Sequence, residues 1–274
     1  MGSLAPAAGI ENSKEEINVL VTGFGVRCPS KKFSSHGAWL TCLPQPFGEN
    51  TTNPAYQIAR SLPTEQKIPG LPLIILHIHS EPIIVSYAHV REIIPELLFP
   101  KNGLKPKHDI VLNIGLAPGR NFYTLETLAH RDGYNKKDVD GKTLEGDTFW
   151  RIEYKAPERL HTSFDTEDVW RRWKSSLVNE DLRPSNNAGH YLCDFTYYAC
   201  MFEYWRREHG GQRPCMFLHV PSGLEEEDIG RGREVALGLI AALVSSEMAG
   251  DKSKRVEDGM EENEWDRAAD YECS

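Results

Sequence analysis

The 274-residue chain has no run of eighteen apolar residues, so no stretch of it is long enough to cross a bilayer as a helix. Residues 1–12 are rich in alanine, glycine and proline. They lack the basic start and apolar core of an export signal. Six cysteines (Cys28, Cys42, Cys193, Cys200, Cys215 and Cys273) form no CxxC pair and no zinc spacing. Free thiols in a reducing compartment are therefore expected, and the expected location is cytoplasmic. Positive charge is also short. With 31 Lys and Arg against 40 Asp and Glu, the net charge of −9 would repel nucleic acid and anionic membrane surfaces, and neither is expected as a partner. Gly23-Phe-Gly25 follows an apolar run, but no GxGxxG and no ribose-binding acid accompany it. There is no internal repeat, and nothing fixes an oligomeric state.

What is present reads as one globular unit. Residues 251–274 carry nine acidic and four basic side chains, and so supply −5 of the −9. The expected organisation is a disordered N-terminus over 1–16, a domain over 17–248, and an acidic disordered tail over 249–274. Apolar runs ending in glycine or histidine predict strands at 17–24, 71–79, 109–115 and 215–220. Between them, helices are predicted from Asn53-Pro54 to about 62, over 86–98 and 191–207, and finally over 232–248. Residues 131–184, polar and tryptophan-containing, fit no clear period. Strands alternating with helices predict an α/β fold, a three-layer α/β/α sandwich around a mainly parallel twisted sheet. Sites in such sheets form beyond the carboxyl ends of the strands: after Phe24, after Gly115 and at His219.

Three residues at those places suit nucleophilic chemistry. Cys193 follows a turn-rich stretch and opens a helix, where backbone amides and the helix dipole favour a thiolate. His219 ends a strand, where a catalytic base belongs, and Glu126 could orient an imidazolium. Taken singly, each also fits a plain role as a buried thiol or a structural side chain. His77-x-His79 with Glu81 could share a strand face, but it reads as a polar strand end, and no metal is expected. Trp170, Trp173 and Trp205 lie among charges and read as helix anchors rather than a peptide-binding surface.

Four blocks in order carry a resemblance. They are Val21-Thr-Gly-Phe-Gly25 with Pro46-Phe-Gly-Glu49 and Asn53-Pro54; Gly115-Leu-Ala-Pro-Gly-Arg120 with Glu126; Ser185 through Ala188-Gly189 to Tyr191-Leu-Cys193; and Phe217-Leu-His-Val-Pro221. Together they resemble the pyroglutamyl-peptidase I (pyrrolidone-carboxylate peptidase) family of cysteine peptidases, over most of 17–248. The resemblance implies an omega-type, exo-acting cysteine peptidase that cuts after an N-terminal pyroglutamate. It makes Cys193 the nucleophile, His219 the base and Glu126 the third member. Arg120 is the oxyanion candidate, and Phe24 and Phe47 are the aromatic pair that sandwiches the lactam ring. The implied partners are N-terminally pyroglutamylated peptides, with no cofactor. The alternative is a catalytically silent member acting as a binding or scaffold protein. Two positions depart from the family pattern. Asp194 stands where asparagine usually follows the nucleophile, and its charge is expected to oppose a thiolate. Arg131 stands where asparagine is usual, and residues 130–134 and 138–141 resemble the fungal-type branch.

The motif after the first strand is interrupted. Removing residues 26–45 restores the family's continuous Val-Thr-Gly-Phe-Gly-Pro-Phe-Gly, in which Phe24 and Phe47 would stand close together. Val26-Arg27 can be encoded as a splice donor, Leu40-Thr41 as a branch point and Gln45 as a splice acceptor. Twenty codons also keep the frame. The segment therefore reads as a retained intron, with a surface loop as the alternative.

Overall fold

The structure, a computed structural model, describes residues 15–25, 53–100, 108–144, 148–207 and 210–250. Most of the segments 1–16 and 249–274, the segment 26–45 and Phe47 lie outside these residues.

The first strand, β1 (Glu16–Gly25), lies in the interior of the sheet and is buried from Val19 onward. Parallel strands β3 (Leu73–Ile78) and β5 (Ile110–Leu116) flank it. Covered at both edges and on both faces, such a strand reads as a continuous apolar run, which is why Val19 to Val21 lacks polar alternation. The sheet runs β2–β3–β1–β5–β10–β6–β9, with β2 (Glu65–Gln66), β6 (Tyr123–Glu126), β9 (Leu182–Ser185) and β10 (Cys215–Val220) completing the path. The short β4 (Ile83–Ile84) extends β1 in parallel. Strands β3, β1, β5 and β10 are mutually parallel, whereas β2 and β6 run antiparallel to their neighbours β3 and β10. The three-layer, mainly parallel sandwich expected from the sequence is what forms.

Side-chain alternation splits the core in two. Val19, Val21, Ile74, Leu112, Ile114 and Leu218 face α1 (Pro54–Ser61), α3 (Thr166–Ser176) and α5 (Glu226–Ala249). Leu20, Phe24, Val111 and Phe217 face α2 (Tyr87–Leu98) and α4 (Leu192–Arg207). Local signals set the helix starts. Asn53 Oδ1 accepts the Ala55 amide at 2.9 Å with Pro54 at the first helical position. The Asp165 carboxylate accepts the Asp168 amide at 2.9 Å.

Three differences from the sequence reading have physical reasons. Helix α5 begins six residues before the expected start, because Glu226, Glu227 and Asp228 suit a helix N-terminus although they carry no apolar period. The unassigned 131–184 region contains α3, most of β9, and β8 (Arg159–His161), which pairs antiparallel with β7 (Leu128–His130) just ahead of the region. In α3 the charges hide a buried stripe of Val169 and Trp173. The Trp173 indole donates to the Val235 carbonyl at 3.0 Å, so this residue is core. Strand β9 contains Pro184, tolerated because β9 lies at the sheet edge.

Candidate active site

The turn before α4 delivers Cys193 to the sheet. Asn187 N–H donates to Ser185 Oγ at 3.2 Å and Gly189 N–H to Asn187 Oδ1 at 3.0 Å, side-chain turns of the kind serine and asparagine favour. Gly189 then adopts φ 94°, a left-handed conformation that suits glycine. Cys193 emerges half-buried as the second residue of α4, where the first-turn amides have no partner within the helix. Its Sγ lies over the end of β5. A Cβ placed on Gly115 would come within 3.0 Å of it and within 2.7 Å of the Phe217 ring, so this glycine makes the close approach possible.

His219 stands opposite Gly115 across β10 and β5, and opposite Thr124 across β10 and β6. Its Nδ1 is 2.7 Å from Glu126 Oε1. Glu126 is fully buried and also accepts from Arg120 Nη1 at 3.1 Å and Thr124 Oγ1 at 3.1 Å. The Tyr197 hydroxyl donates to the Glu126 carbonyl at 3.1 Å, fixing the strand beneath. Burial alone would push the Glu126 carboxyl up. The hydrogen bond and charge of His219, followed by the charge of Arg120, overrule burial and hold the pKa at about 2. Burial likewise opposes a charged His219. The charge and hydrogen bond of a Cys193 thiolate, then those of Glu126, overcome it and raise the pKa to about 9.

Of the residues singled out in the sequence, Cys193, His219, Glu126 and Arg120 converge. Phe24 is buried in the same layer, its ring 6.4 Å from that of Phe217, which in turn lies 4.8 Å from His219. The Arg120 guanidinium is directed to Glu126, to Thr124 at 2.8 Å and to the Asn187 carbonyl at 3.3 Å. Asp194 differs from the expectation of a charge set against the thiol. Its carboxylate is buried and faces His130, with Oδ1 accepting the His130 amide at 3.2 Å and Oδ2 lying 3.2 Å from Nδ1. Arg131 is tied to Asp132 and the Ala156 carbonyl. His77 Nε2 pairs with Asn18 Oδ1 at 2.8 Å, in the α/β body away from the thiol. Thr124 went unnoticed in the sequence, and Gly115 was read as a strand end rather than as the residue that admits the thiol. The signal for Thr124 was available, since it stands two residues before Glu126 and shares its strand face.

A half-buried thiol, an imidazole and a buried carboxylate in sequence at the carboxyl edge of a parallel sheet have the form of a thiol-dependent hydrolase. Residues 40–233 match the pyroglutamyl peptidase family, and the chain belongs to it. It is 28% identical over 203 residues to pyroglutamyl-peptidase 1 of Mus musculus, covering 74% of this chain and 78% of that one. It is 36% identical over 115 residues to pyrrolidone-carboxylate peptidase of Deinococcus radiodurans, covering 41% of this chain and 49% of that one. Among solved structures, pyrrolidone carboxyl peptidase from Thermococcus litoralis superposes with a TM-score of 0.60 at 20% identity, covering 86% of this chain and 97% of that one. That likeness establishes the fold.

Proposed function

We propose that the chain is an exo-acting cysteine peptidase that hydrolyses the amide bond after an N-terminal pyroglutamate. The observation that carries this reading is the placement of His219 between Glu126 and the Cys193 thiol, within a chain of the pyroglutamyl peptidase family.

In this reading the Cys193 thiolate attacks the scissile carbonyl carbon. The developing oxyanion meets the free amides of the first turn of α4. Arg120 contributes its positive field at that position while holding Glu126 ionised. The His219 imidazolium donates its Nε2 proton to the departing amine, leaving a thioester. His219 then takes a proton from water, hydroxide attacks the thioester, and pyroglutamate leaves as the thiolate re-forms. Glu126 positions the ring through Nδ1 and stabilises its charge. Phe24 and Phe47 supply the two faces of the lactam slot. A silent scaffold would have no need of a buried carboxylate kept ionised behind a histidine.

The domain spans 17–248, the segment 26–45 is a retained intron, and the chain acts in the cytoplasm. Two observations support the reading of 26–45. The family match begins only at residue 40, near the end of the segment, although the interior strand β1 lies before it. The end of β1 also touches the start of α1: a Cβ on Gly23 would lie 2.8 Å from the Ala55 carbonyl oxygen. The thiols of Cys193, Cys200 and Cys215 are free, as a reducing compartment keeps them.

The test is release of a fluorophore from pyroglutamyl and prolyl amides by the purified chain and by a form lacking 26–45. A prolyl ring lacks the lactam carbonyl and brings a charged amine into an apolar slot. The form lacking 26–45 should prefer the pyroglutamyl amide by about a hundredfold or more in kcat/KM. Equal rates of the shortened form on both amides, or no release from either by that form, would overturn the assignment.

A further inference from the structure

A second group of ligating side chains converges beside the site. His130 ends β7, His190 lies in the turn before α4, and Asp194 stands in the first turn of α4. Their ligand atoms all lie within 4.8 Å of one another. His130 Nδ1 is 3.2 Å and His190 Nδ1 3.7 Å from the same atom, Asp194 Oδ2. A tetrahedral zinc ion with bonds of about 2.0–2.1 Å holds its ligand atoms about 3.3 Å apart. Both distances are near that edge.

The surroundings fit such an ion. The Asp194 carboxylate is fully buried, and its ion-pair partners among the described residues are the two histidines rather than lysine or arginine. A buried carboxylate calls for a cation, and two imidazoles leave that need only partly met. His190 is held at φ 43°, a left-handed conformation uncommon for a residue other than glycine. Its ring packs on Gly133, where a Cβ would come within 2.8 Å of Nδ1. The carboxylate is itself oriented from behind, Oδ1 by the His130 amide and Oδ2 by the Tyr134 hydroxyl at 3.3 Å. Such outer contacts are what fix a carboxylate ligand in place. The histidine side chains are 18% and 44% exposed, so an ion reaches them from solvent.

We propose that His130, His190 and Asp194 bind one divalent transition-metal ion of the zinc class, separate from the catalytic line. Two imidazoles and one carboxylate suit zinc or cobalt rather than magnesium or calcium. To ligate, each ring carries its proton on Nε2 and turns the Nδ1 lone pair to the ion, and His190 exchanges the contact of its Nδ1 with the Asp132 carbonyl, 3.3 Å away, for the metal bond. Asp194 follows Cys193 directly and His190 precedes it by three residues, so the ion ties both sides of the nucleophile to β7. It braces the loop that presents the thiol and takes no part in the chemistry.

The test uses the full chain, stripped of metal and carrying Cys193→Ser, so that the active thiol cannot serve as a ligand. Titration with Co2+ should give visible d–d absorption for one equivalent without thiolate charge-transfer bands. Zn2+ should displace the cobalt and raise the Tm. The double variant His130→Gln/His190→Gln should lose that equivalent and the Tm increase. His190→Gln alone, at the more exposed ligand, keeps the comparison available if the double variant does not fold. Tyr134→Phe should weaken binding by about 10- to 100-fold. A spectrum dominated by thiolate bands, unchanged binding in both histidine variants, or no uptake at stoichiometric metal would each overturn the site.

Discussion

His219 and Glu126 sit diagonally across two antiparallel strands, Glu126 opposite Phe217 and His219 opposite Thr124, with Nδ1 and Oε1 2.7 Å apart. Diagonal neighbours on one face of a sheet are within reach of long side chains, so the β6–β10 register alone aligns the pair. The antiparallel strand β6 is thus what brings a carboxylate up behind a histidine from a parallel strand.

Glu126→Gln removes the charge while keeping the shape. His219 then loses an ion-pair partner, and its pKa falls from about 9. The alkaline limb of the kcat/KM profile, set by loss of the imidazolium, should move to lower pH, and the rate should fall about a hundredfold or more. Stability carries the same signs. The contribution of His219 is fully present below its ordinary 6.5 and is lost as pH rises through about 9. That of Glu126 is present above 4.5 and is lost as pH falls toward 2. Melting curves across pH should show both losses in the parent and neither to the same extent in Glu126→Gln. An unmoved alkaline limb would separate Glu126 from His219.

The three described cysteines should differ sharply. Burial pushes the Cys200 thiol up to about 12 and raises that of Cys215 well above its ordinary value, whereas Cys193 is half-buried beside His219. Iodoacetamide at neutral pH, read by peptide mapping, should label Cys193 and leave Cys200 and Cys215 untouched. Cys193→Ser should abolish turnover, and Cys200→Ser should retain it. A requirement for Cys200 would overturn the assignment, and uniformly slow labelling would favour a scaffold.

The parts of this arrangement that sequence made legible are those with a local signature. Asn53-Pro54 marks a helix start, Val19 to Val21 a buried strand, and the turn before Cys193 a helix entry. Features that depend on contacts distant in sequence were hidden. Trp173 sits among charged neighbours yet fills the core against α5, because its stripe is only two residues wide. The β6–β10 pairing joins residues more than ninety positions apart and leaves no periodicity to read. Asp194 was read by its neighbour in sequence, Cys193, although the helix turns its carboxylate toward β7.

Gly115→Ala tests the close approach of α4 to the sheet. The added methyl would stand 3.0 Å from Cys193 Sγ and 2.7 Å from the Phe217 ring, so the thiol, the ring or both must move. A shift of about 1 Å at a reacting atom costs on the order of a hundredfold in rate. Circular dichroism should show a folded protein, with kcat/KM reduced by about that factor and Cys193 labelled more slowly. Full activity would show that Gly115 is not needed to position the thiol.

Deleting residues 26–45 tests whether that segment belongs to the working enzyme. After the deletion, residues 46–52 join Gly25 to Asn53. Seven residues can span up to about 25 Å, and the strand end already touches the first turn of α1, so the closure requires no rearrangement of either. The deletion brings Phe47 to within three positions of Phe24, whereas the full chain separates them by 23. In the proposed slot, two rings that clamp one lactam would be held more firmly by a short connection. Looseness of about 1 Å in such a clamp costs on the order of a hundredfold. The shortened chain should therefore cleave pyroglutamyl amides, and the full chain should be weak or inactive with an intact Cys193. Sequencing the transcript across this region should show the sixty nucleotides removed. A dominant transcript that keeps them, together with equal activity of the two proteins, would establish 26–45 as a genuine loop.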